Sequence, residues 1–176
     1  MAPLGLAGAG GGASAAEVFA GAFGHGVHIG LASGWERGAD AGAEVGVRSD
    51  PLNTLGWLGE PRAYGLISAN LTSRTDFAAA GLLWRRDLGR RFYGQLGPGL
   101  AVHDGAVSPQ DADHGSKHIA LGSRVLFEPE LGLGVRLTPR WSAELNWVHV
   151  SNAGLTKHNP GMDDLGARAV YRFGGR

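Results

Sequence analysis

Apolar and polar residues alternate along most of the chain with a period of two, which is the pattern of β-strands that present two different faces. In residues 39–48 the odd positions are Ala and Val, whereas Asp40, Glu44 and Arg48 stand at even positions. In residues 119–137 the odd positions are mostly Ile, Leu, Val and Phe, and the even positions include Arg and Glu. Both stretches predict strands with one apolar face and one charged face.

We expect eight strands, separated by segments rich in Gly, Pro, Asn and charged residues. Their expected bounds are Glu17–Leu31, Ala39–Arg48, Arg62–Leu71, Phe77–Arg86, Arg91–His103, Ile119–Leu137, Trp141–Ser151 and Asp163–Phe173. Many of them are close to the roughly ten residues that a tilted strand needs to cross a bilayer. No apolar run approaches the roughly 18 residues of a transmembrane helix, so a helical membrane protein is excluded.

A charged face opposite an apolar face is compatible with two folds. In a soluble sandwich or barrel the apolar face would form the core, and in an outer-membrane barrel it would face lipid. Three features favour the membrane barrel: lysines are few, opposed charges could pair inside a narrow barrel, and aromatic residues lie near the expected strand ends. These aromatic residues are Trp84, Phe92, Trp141, Trp147, Tyr171 and Phe173. We therefore predict an all-β fold, an eight-stranded antiparallel transmembrane β-barrel, with a soluble barrel or sandwich as the alternative.

The length of 176 residues is that of one domain, which we expect to cover residues 17–176. The start of the chain is rich in Ala and Gly and ends in Ala13-Ser14-Ala15. Small residues in this order are typical of the cleavage site of a secretory signal, although the positively charged start of such a signal is missing. Residues 1–16 are interpreted as the remnant of a signal peptide, with a disordered tail as the alternative.

Charge and composition exclude some classes of function. The formal net charge is zero and the basic residues are scattered, so the sequence shows no basic patch that would bind nucleic acid. The chain contains no cysteine, which excludes thiol chemistry and cysteine metal sites. Six histidines lack the regular spacing of metal ligands and are interpreted as surface or loop residues: His25, His28, His103, His114, His118 and His158. We expect neither a metal nor a cofactor.

The candidate chemistry lies in the expected seventh and eighth strands. Residues two apart in a strand point to the same side, so the imidazole of His149 and the hydroxyl of Ser151 can be neighbours on the face that carries Trp147. By the same alternation Asp163 lies on the corresponding face of the last strand. A serine hydroxyl becomes a nucleophile when a base takes its proton, and a carboxylate can orient that base. The three side chains are therefore candidates for a catalytic triad on the apolar face.

The loop between these two strands carries a longer motif. The run His149-Val150-Ser151-Asn152-Ala153-Gly154-Leu155, followed by Asn159-x-Gly161-x-Asp163 and a last strand that ends in aromatic residues, resembles the PagL-type lipid A 3-O-deacylases of Gram-negative outer membranes. The motif covers the last two strands and their loop. In the rest of the chain the resemblance is limited to the eight-strand pattern.

The resemblance implies a role for each member of the triad. Ser151 would be the nucleophile, His149 the general base and Asp163 the acid that orients the imidazole. The best-known members of the family have a glutamate at this last position. Because aspartate is one methylene shorter, its carboxylate reaches the imidazole only if the backbones lie closer or a water intervenes. The rival carboxylate, Asp164, is expected inside the barrel in an ion pair with Arg168.

The resemblance also implies an oxyanion hole. In the family, Asn159 and the backbone around Ala153 and Gly154 are associated with the hole, and Asn152 helps to hold it. Amide donors of this kind stabilise the negative charge that develops on an ester oxygen in the transition state. Asn-Pro-Gly at 159–161 is also a typical turn sequence, and both interpretations can hold together.

The function implied by the resemblance is a serine ester hydrolase that removes a primary, 3-O-linked acyl chain from lipid A of lipopolysaccharide. Its location would be the bacterial outer membrane, with the active site facing the outer leaflet, and a homodimer is left open. Two other functions compete with it: a non-catalytic structural or adhesive outer-membrane barrel, and a soluble barrel that binds a lipid inside. Dependence on detergent separates the soluble class, and activity on purified lipopolysaccharide separates the enzyme from the inert barrel.

The expected topology places the site on the outer wall. If both termini lie in the periplasm, the seventh strand runs outward and the loop 152–162 is extracellular. His149 and Ser151 then lie near the lipid headgroups, where an ester can approach laterally. Basic loop residues would meet the phosphates of lipid A. They are Lys157, Lys117, Arg37 and Arg74.

Overall fold

In the computed structural model, which describes residues 15–27, 40–72, 74–110 and 119–173, eight strands form a closed antiparallel barrel. Each strand pairs with its neighbour in sequence, and the first pairs with the last. The strands are β1 (Ala15–His25), β2 (Asp40–Ser49), β3 (Arg62–Asn70), β4 (Phe77–Asp87), β5 (Phe92–His103), β6 (Val125–Arg136), β7 (Trp141–Val150) and β8 (Met162–Arg172). A 3-10 turn, Asn53–Leu58, lies between β2 and β3. The predicted eight-stranded all-β fold is confirmed.

Helices do not contribute to the wall. Among the residues that the structure describes, no helix has both the length and the apolar character needed to cross a membrane.

The strand bounds follow the alternation closely, with two exceptions. β6 begins at Val125 instead of Ile119, because the preceding residues turn at Gly122, which has a φ of +80°. These residues bond to the first part of the β5–β6 connection, with Leu121 N–H donating to Ala106 O and Gly122 N–H donating to Val107 O. β1 ends at His25 instead of Leu31, since Gly26 also has a positive φ of 62°.

The start of β1 falls inside the segment interpreted as a signal remnant. Ala15 and Ala16 already belong to the strand, and residues 1–14 lie outside the described part of the chain. Residues 28–31, which were expected to continue β1, also lie outside it.

Many apolar side chains of the strands point outward and stay exposed. Leu145, for example, keeps 62% of its surface accessible and Ile67 keeps 60%. The other large exposed apolar residues on the strands are Val45, Val47, Phe92, Leu96, Leu100, Val102, Val125, Phe127, Leu131, Leu133, Trp141 and Leu165. A protein in water buries such a surface, whereas a barrel in a bilayer presents it to lipid.

Paired charges occupy a large part of the interior. Arg48 donates to both carboxylate oxygens of Glu144 at 2.8 and 2.9 Å, and Arg85 binds Glu17 in the same bidentate way. Arg168 contacts Glu44 and Glu130. The expectation that opposed charges pair inside a narrow barrel is confirmed. A soluble barrel that holds a lipid inside does not fit, because its interior would have to be apolar.

The interior also contains buried apolar side chains, for example Leu83 on β4 and Leu126 on β6. The two phenylalanines of β1 point inward as well, and the guanidinium groups of Arg48 and Arg168 lie 4.4 and 4.6 Å from the ring of Phe19. Glycine on β2 makes the room, since a Cβ at Gly46 would lie 2.3 Å from that ring. The Ala and Gly positions of β1 form its outer face instead.

The two ends of the barrel differ. At one end, which we call the turn end, the strands are joined by residues 50–61, 88–91 and 137–140, and β1 starts and β8 stops there. An edge-to-face aromatic cluster of Trp141, Tyr171 and Phe173 lies at this end, with ring centroids 5.0 and 5.3 Å apart. At the other end, the loop end, lie residues 104–110, 119–124 and 151–161.

Candidate active site

The structure brings His149, Ser151 and Asp163 into one hydrogen-bonded chain at the loop end. His149 on β7 stands directly opposite Asp163 on β8 in the strand register. Its Nδ1 lies 2.7 Å from Asp163 Oδ1, and its Nε2 lies 2.9 Å from Ser151 Oγ. The shorter aspartate therefore reaches the imidazole directly, because the two residues are cross-strand partners.

This chain of side chains faces the outside of the barrel, yet it is shielded. In the register, the next outward pair below His149 and Asp163 is Trp147 with Leu165, whose side chain is exposed. The Trp147 ring stacks on the imidazole with centroids 5.9 Å apart. Asp163 has no exposed surface, and His149 and Ser151 keep only 7% and 8%. A buried carboxylate next to an imidazole holds that ring in one orientation and tautomer.

The backbone of Ser151 is fixed although the residue lies just beyond β7. Its N–H donates to Phe127 O at 3.1 Å, and its C=O accepts from Phe127 N–H at 2.8 Å. This isolated bridge to β6 places the hydroxyl beside the strand that carries the imidazole. The nucleophile candidate is thus positioned by β6 and by the end of β7.

Asn152 organises the loop that follows. Its side-chain nitrogen lies within 2.7–2.9 Å of Leu121 O, Thr156 Oγ1 and His158 O. Its side-chain oxygen accepts from Gly154 N–H at 3.0 Å. One amide therefore ties together the β5–β6 connection and both arms of the loop after Ser151.

Two of the expected oxyanion donors make no hydrogen bond to the described part of the protein. The N–H of Gly154 is used by Asn152, and Asn159 Oδ1 accepts from Asn152 N–H at 2.9 Å. The N–H of Ala153 and the side-chain nitrogen of Asn159 have no hydrogen-bond partner among the described residues. Ala153 also has a φ of +53°, a conformation that non-glycine residues adopt at a cost and that is frequent at functional sites.

Asp164 points into the barrel as expected, but its predicted partner is wrong. Arg168 is occupied by Glu44 and Glu130. Asp164 instead lies 3.2 Å from His25 Nδ1 and accepts from Gly26 N–H at 3.1 Å. Closure of the barrel brings the end of β1 next to the start of β8, and this places His25 beside Asp164.

The structure describes two of the four basic loop residues. Arg74 is buried and paired with Asp40, so the expectation that it meets lipid phosphates is wrong. Lys157 is exposed in the loop after Ser151, and Arg37 and Lys117 lie outside the described residues. In the ranges that the structure describes, no three His, Asp or Glu side chains form a group that could hold a metal ion.

Two glycines shape the site without having been assigned a role from the sequence. Gly161 has a φ of +65°, and a Cβ there would lie 2.9 Å from His149 Cε1. A Cβ at Gly122 would lie 1.9 Å from His158 O and 2.5 Å from Asn152 Nδ2. Gly161 was visible in the motif, whereas nothing in the local sequence distinguishes Gly122 from other loop glycines.

A groove runs along the outer wall from the site toward the turn end. Its volume is about 870 Å³. Five of its lining residues are successive cross-strand partners and form one row across β4 to β8: Trp84, Leu96, Leu131, Trp147 and Leu165. Four strand spacings make this row about 19 Å long. It starts near the turn end at Trp84 and ends beside the imidazole of His149.

Fold and site define a class, a small barrel of the outer-membrane type that carries a Ser–His–Asp arrangement on its lipid-facing wall. A profile of the family described as lipid A 3-O-deacylase (PagL) matches residues 37–172. The chain belongs to this family.

Individual relatives agree with the assignment. Over 96 residues the chain is 35% identical to lipid A deacylase PagL of Bordetella bronchiseptica, a match that covers 54% of this chain and 49% of that protein. The matched region thus spans about half the length of this curated relative. The crystal structure of the outer membrane enzyme PagL is similar with a TM-score of 0.62 and 17% identity, over 90% of this chain and all of that one.

A second solved structure shares the architecture. Neisserial surface protein A matches with a TM-score of 0.52 and 17% identity, over 93% of this chain and all of that one. At this level of identity both structural likenesses concern the fold alone.

Proposed function

We propose that this protein is a serine ester hydrolase of the outer membrane that removes the 3-O-linked acyl chain of lipid A. Ser151 is the nucleophile, His149 the general base and Asp163 the orienting acid. The observation that carries the proposal is the hydrogen-bonded chain of 2.7 and 2.9 Å between these side chains on a wall that faces lipid. Membership of the lipid A 3-O-deacylase family supports the choice of substrate.

The first half of the reaction forms an acyl-enzyme. With the Asp163 carboxylate accepting the Nδ1–H, the Nε2 of His149 is free to take the proton of Ser151 as its oxygen attacks the ester carbonyl. The N–H of Ala153 and the side-chain amide of Asn159 are the available donors for the oxyanion. When the carbon–oxygen bond breaks, the imidazolium gives its proton to the departing 3-oxygen of lipid A, which leaves as a hydroxyl.

The second half regenerates the enzyme. Water replaces the departed hydroxyl, His149 takes a proton from it, and the new hydroxide attacks the acyl-serine. Collapse of the second tetrahedral intermediate releases the fatty acid and returns the proton to Ser151.

The groove on the outer wall supports a lipid substrate. It begins beside Trp147 and is lined by leucines, so an acyl chain whose ester lies at Ser151 can stay within the apolar layer during the reaction. The row of about 19 Å runs across five neighbouring strands and offers that chain a continuous apolar surface. The substrate needs no passage through the barrel, whose interior is occupied by ion pairs.

The orientation follows from the two ends of the barrel. The short connections and the strand termini are placed in the periplasm, and the loop end faces the cell exterior, as is usual for barrels with an even number of strands. The site then lies at the headgroup level of the outer leaflet. Lys157 is exposed in the same loop and would contribute to phosphate binding.

Mass spectrometry of lipid A tests the proposal. Purified lipopolysaccharide incubated with the wild-type protein should lose one 3-linked acyl chain, and the free hydroxy fatty acid should appear. Ser151→Ala should leave the lipid A mass unchanged. Ser142→Ala is the matched control, because Ser142 lies on the inward-facing side of the same strand and should not be required. An active Ser151→Ala protein would refute the mechanism, and an inactive wild-type barrel would favour a non-catalytic role.

A further inference from the structure

The turn end of the outer wall carries a guanidinium that the described part of the protein leaves unpaired. Arg86 is the last outward-facing residue of β4 and is exposed. No described carboxylate lies within ion-pair distance of it. Its neighbour Arg85 points inward and is held by Glu17 at 2.8 and 2.9 Å. A free cation at the margin of an apolar wall creates a site for an anion.

The surroundings of Arg86 place it at the level of lipid headgroups. Trp84 lies two residues away on the same face, and its indole N–H donates to Leu58 O at 2.8 Å. This bond holds the 3-10 turn against the wall, where Trp57 is 82% exposed. Tryptophans of this kind mark the boundary between the hydrocarbon layer and the headgroups.

The groove of the outer wall reaches the same point. Its turn end is lined by Gly59, Trp84 and Arg86. An apolar slot that ends at an unpaired guanidinium is complementary to an amphiphile with an acyl chain and an anionic head. A small soluble anion has no apolar part that could bind in the slot.

We propose that this end of the groove, between Trp84, Gly59 and Arg86, binds an anionic phospholipid of the leaflet next to the turn end. The guanidinium contacts the headgroup phosphate, a pairing for which Arg is well suited. One acyl chain lies in the lower part of the groove against Leu96. This site is separate from Ser151 and does not depend on the deacylase function, only on insertion of the barrel in a bilayer.

Three other arginines at the turn end are less suited to this role. Arg136 pairs with Asp87 at 2.5 Å, and Arg62 donates to Ser49 O at 2.9 Å. Arg140 is exposed at the same end but on the side of β7, where its guanidinium lies 3.4 Å from the Tyr171 hydroxyl. Arg140 therefore provides a matched control for general surface charge.

Fluorescence quenching by brominated lipids tests the proposal. The full chain is refolded into phosphatidylcholine vesicles that contain a minor fraction of brominated phosphatidylglycerol or of brominated phosphatidylcholine. In the wild type, the anionic lipid should quench tryptophan more strongly. Arg86→Gln should reduce this selectivity about fivefold, since one basic residue near an anionic surface contributes about 1 kcal/mol. Trp84→Phe should remove the selective part of the quenching.

The controls decide between a site and general attraction. Arg140→Gln should keep the selectivity, and inorganic phosphate at matched ionic strength should not displace the lipid. The proposal is overturned if Arg86→Gln keeps the selectivity, if Arg140→Gln loses as much, or if free phosphate abolishes the effect. Arg86→Lys, which retains the charge, should keep part of the selectivity and serves if Arg86→Gln fails to show the heat-dependent gel mobility of a folded barrel.

Discussion

Two consecutive aspartates of β8 show how the two faces of the barrel differ. Asp163 and Asp164 are both buried carboxylates, and each contacts a histidine, His149 at 2.7 Å and His25 at 3.2 Å. On the outer face, the histidine also reaches the hydroxyl of Ser151 and stacks on Trp147, which lines the groove. On the inner face, Asp164 instead accepts a hydrogen bond from the N–H of Gly26.

The face of the barrel on which a His–Asp pair lies, and not the pair itself, determines what the pair can do. A His–Asp pair that opens to the outer wall can meet an ester in the membrane, whereas the same pair inside the barrel is enclosed by other side chains. The ring of Phe23, for example, lies 6.0 Å from that of His25.

The largest effect is expected for the nucleophile and its base. Ser151→Ala and His149→Ala should each lower the rate of deacylation by at least about 10³-fold, and the double variant should be no worse, because the two groups act as one unit. Release of hydroxy fatty acid from purified lipopolysaccharide measures the rate. Additive losses in the double variant would contradict a shared step.

Replacing each of the two aspartates by alanine compares the outer and the inner carboxylate directly. Asp163→Ala should reduce turnover about 10²- to 10⁴-fold, because serine and histidine keep partial function without the orienting acid. Asp164→Ala should change turnover only a few-fold but lower the free energy of unfolding by about 1–3 kcal/mol, since a backbone N–H loses its acceptor. Initial rates and urea unfolding in detergent measure the two quantities. Equal losses of turnover in both folded variants would mean that the inner carboxylate serves the reaction.

A smaller effect is expected behind the imidazole. Gly161→Ala should lower turnover about tenfold, because its Cβ would lie 2.9 Å from His149 Cε1 and push the ring away from Ser151. Gly89→Ala is the control, since Gly89 also has a positive φ but its Cβ would meet nothing within 4 Å. Both should lose about 1 kcal/mol of stability from backbone strain. The interpretation requires that only Gly161→Ala slows the reaction.

The smallest effect on activity is expected from the interior. Arg168→Met leaves Glu44 and Glu130 buried without their main partner and should destabilise the barrel by about 3–5 kcal/mol. The rate per folded molecule should stay close to that of the wild type, because the triad lies on the other face. Urea unfolding followed by tryptophan fluorescence, together with rates below the transition, checks both statements. A large loss of rate without unfolding would show that the interior charges couple to the site.

Much of the fold was predictable because strand alternation is a local property. The period of two sets the faces of β2, β5, β6, β7 and β8, and their bounds agree with the alternation except at the start of β6. The same parity placed His149, Ser151 and Asp163 on one side, since the only tertiary information needed was that two adjacent strands pair. The membrane interpretation also followed from the sequence, as the outward apolar residues and the inward ion pairs bear out.

The remaining features depend on contacts that no local pattern contains. The partner of Asp164 is His25 because the barrel closes through β1 and β8, and Arg74 is buried with Asp40 because β2 begins beside the β3–β4 connection. Phe19 lies inside because glycines on β2 leave room for it, which is a question of volume. The sequence thus determined the strands and the face of each catalytic candidate, since both follow from backbone geometry. Tertiary structure alone decided which charges pair and how the loop around Asn152 is held, because these depend on distances between segments far apart in the chain.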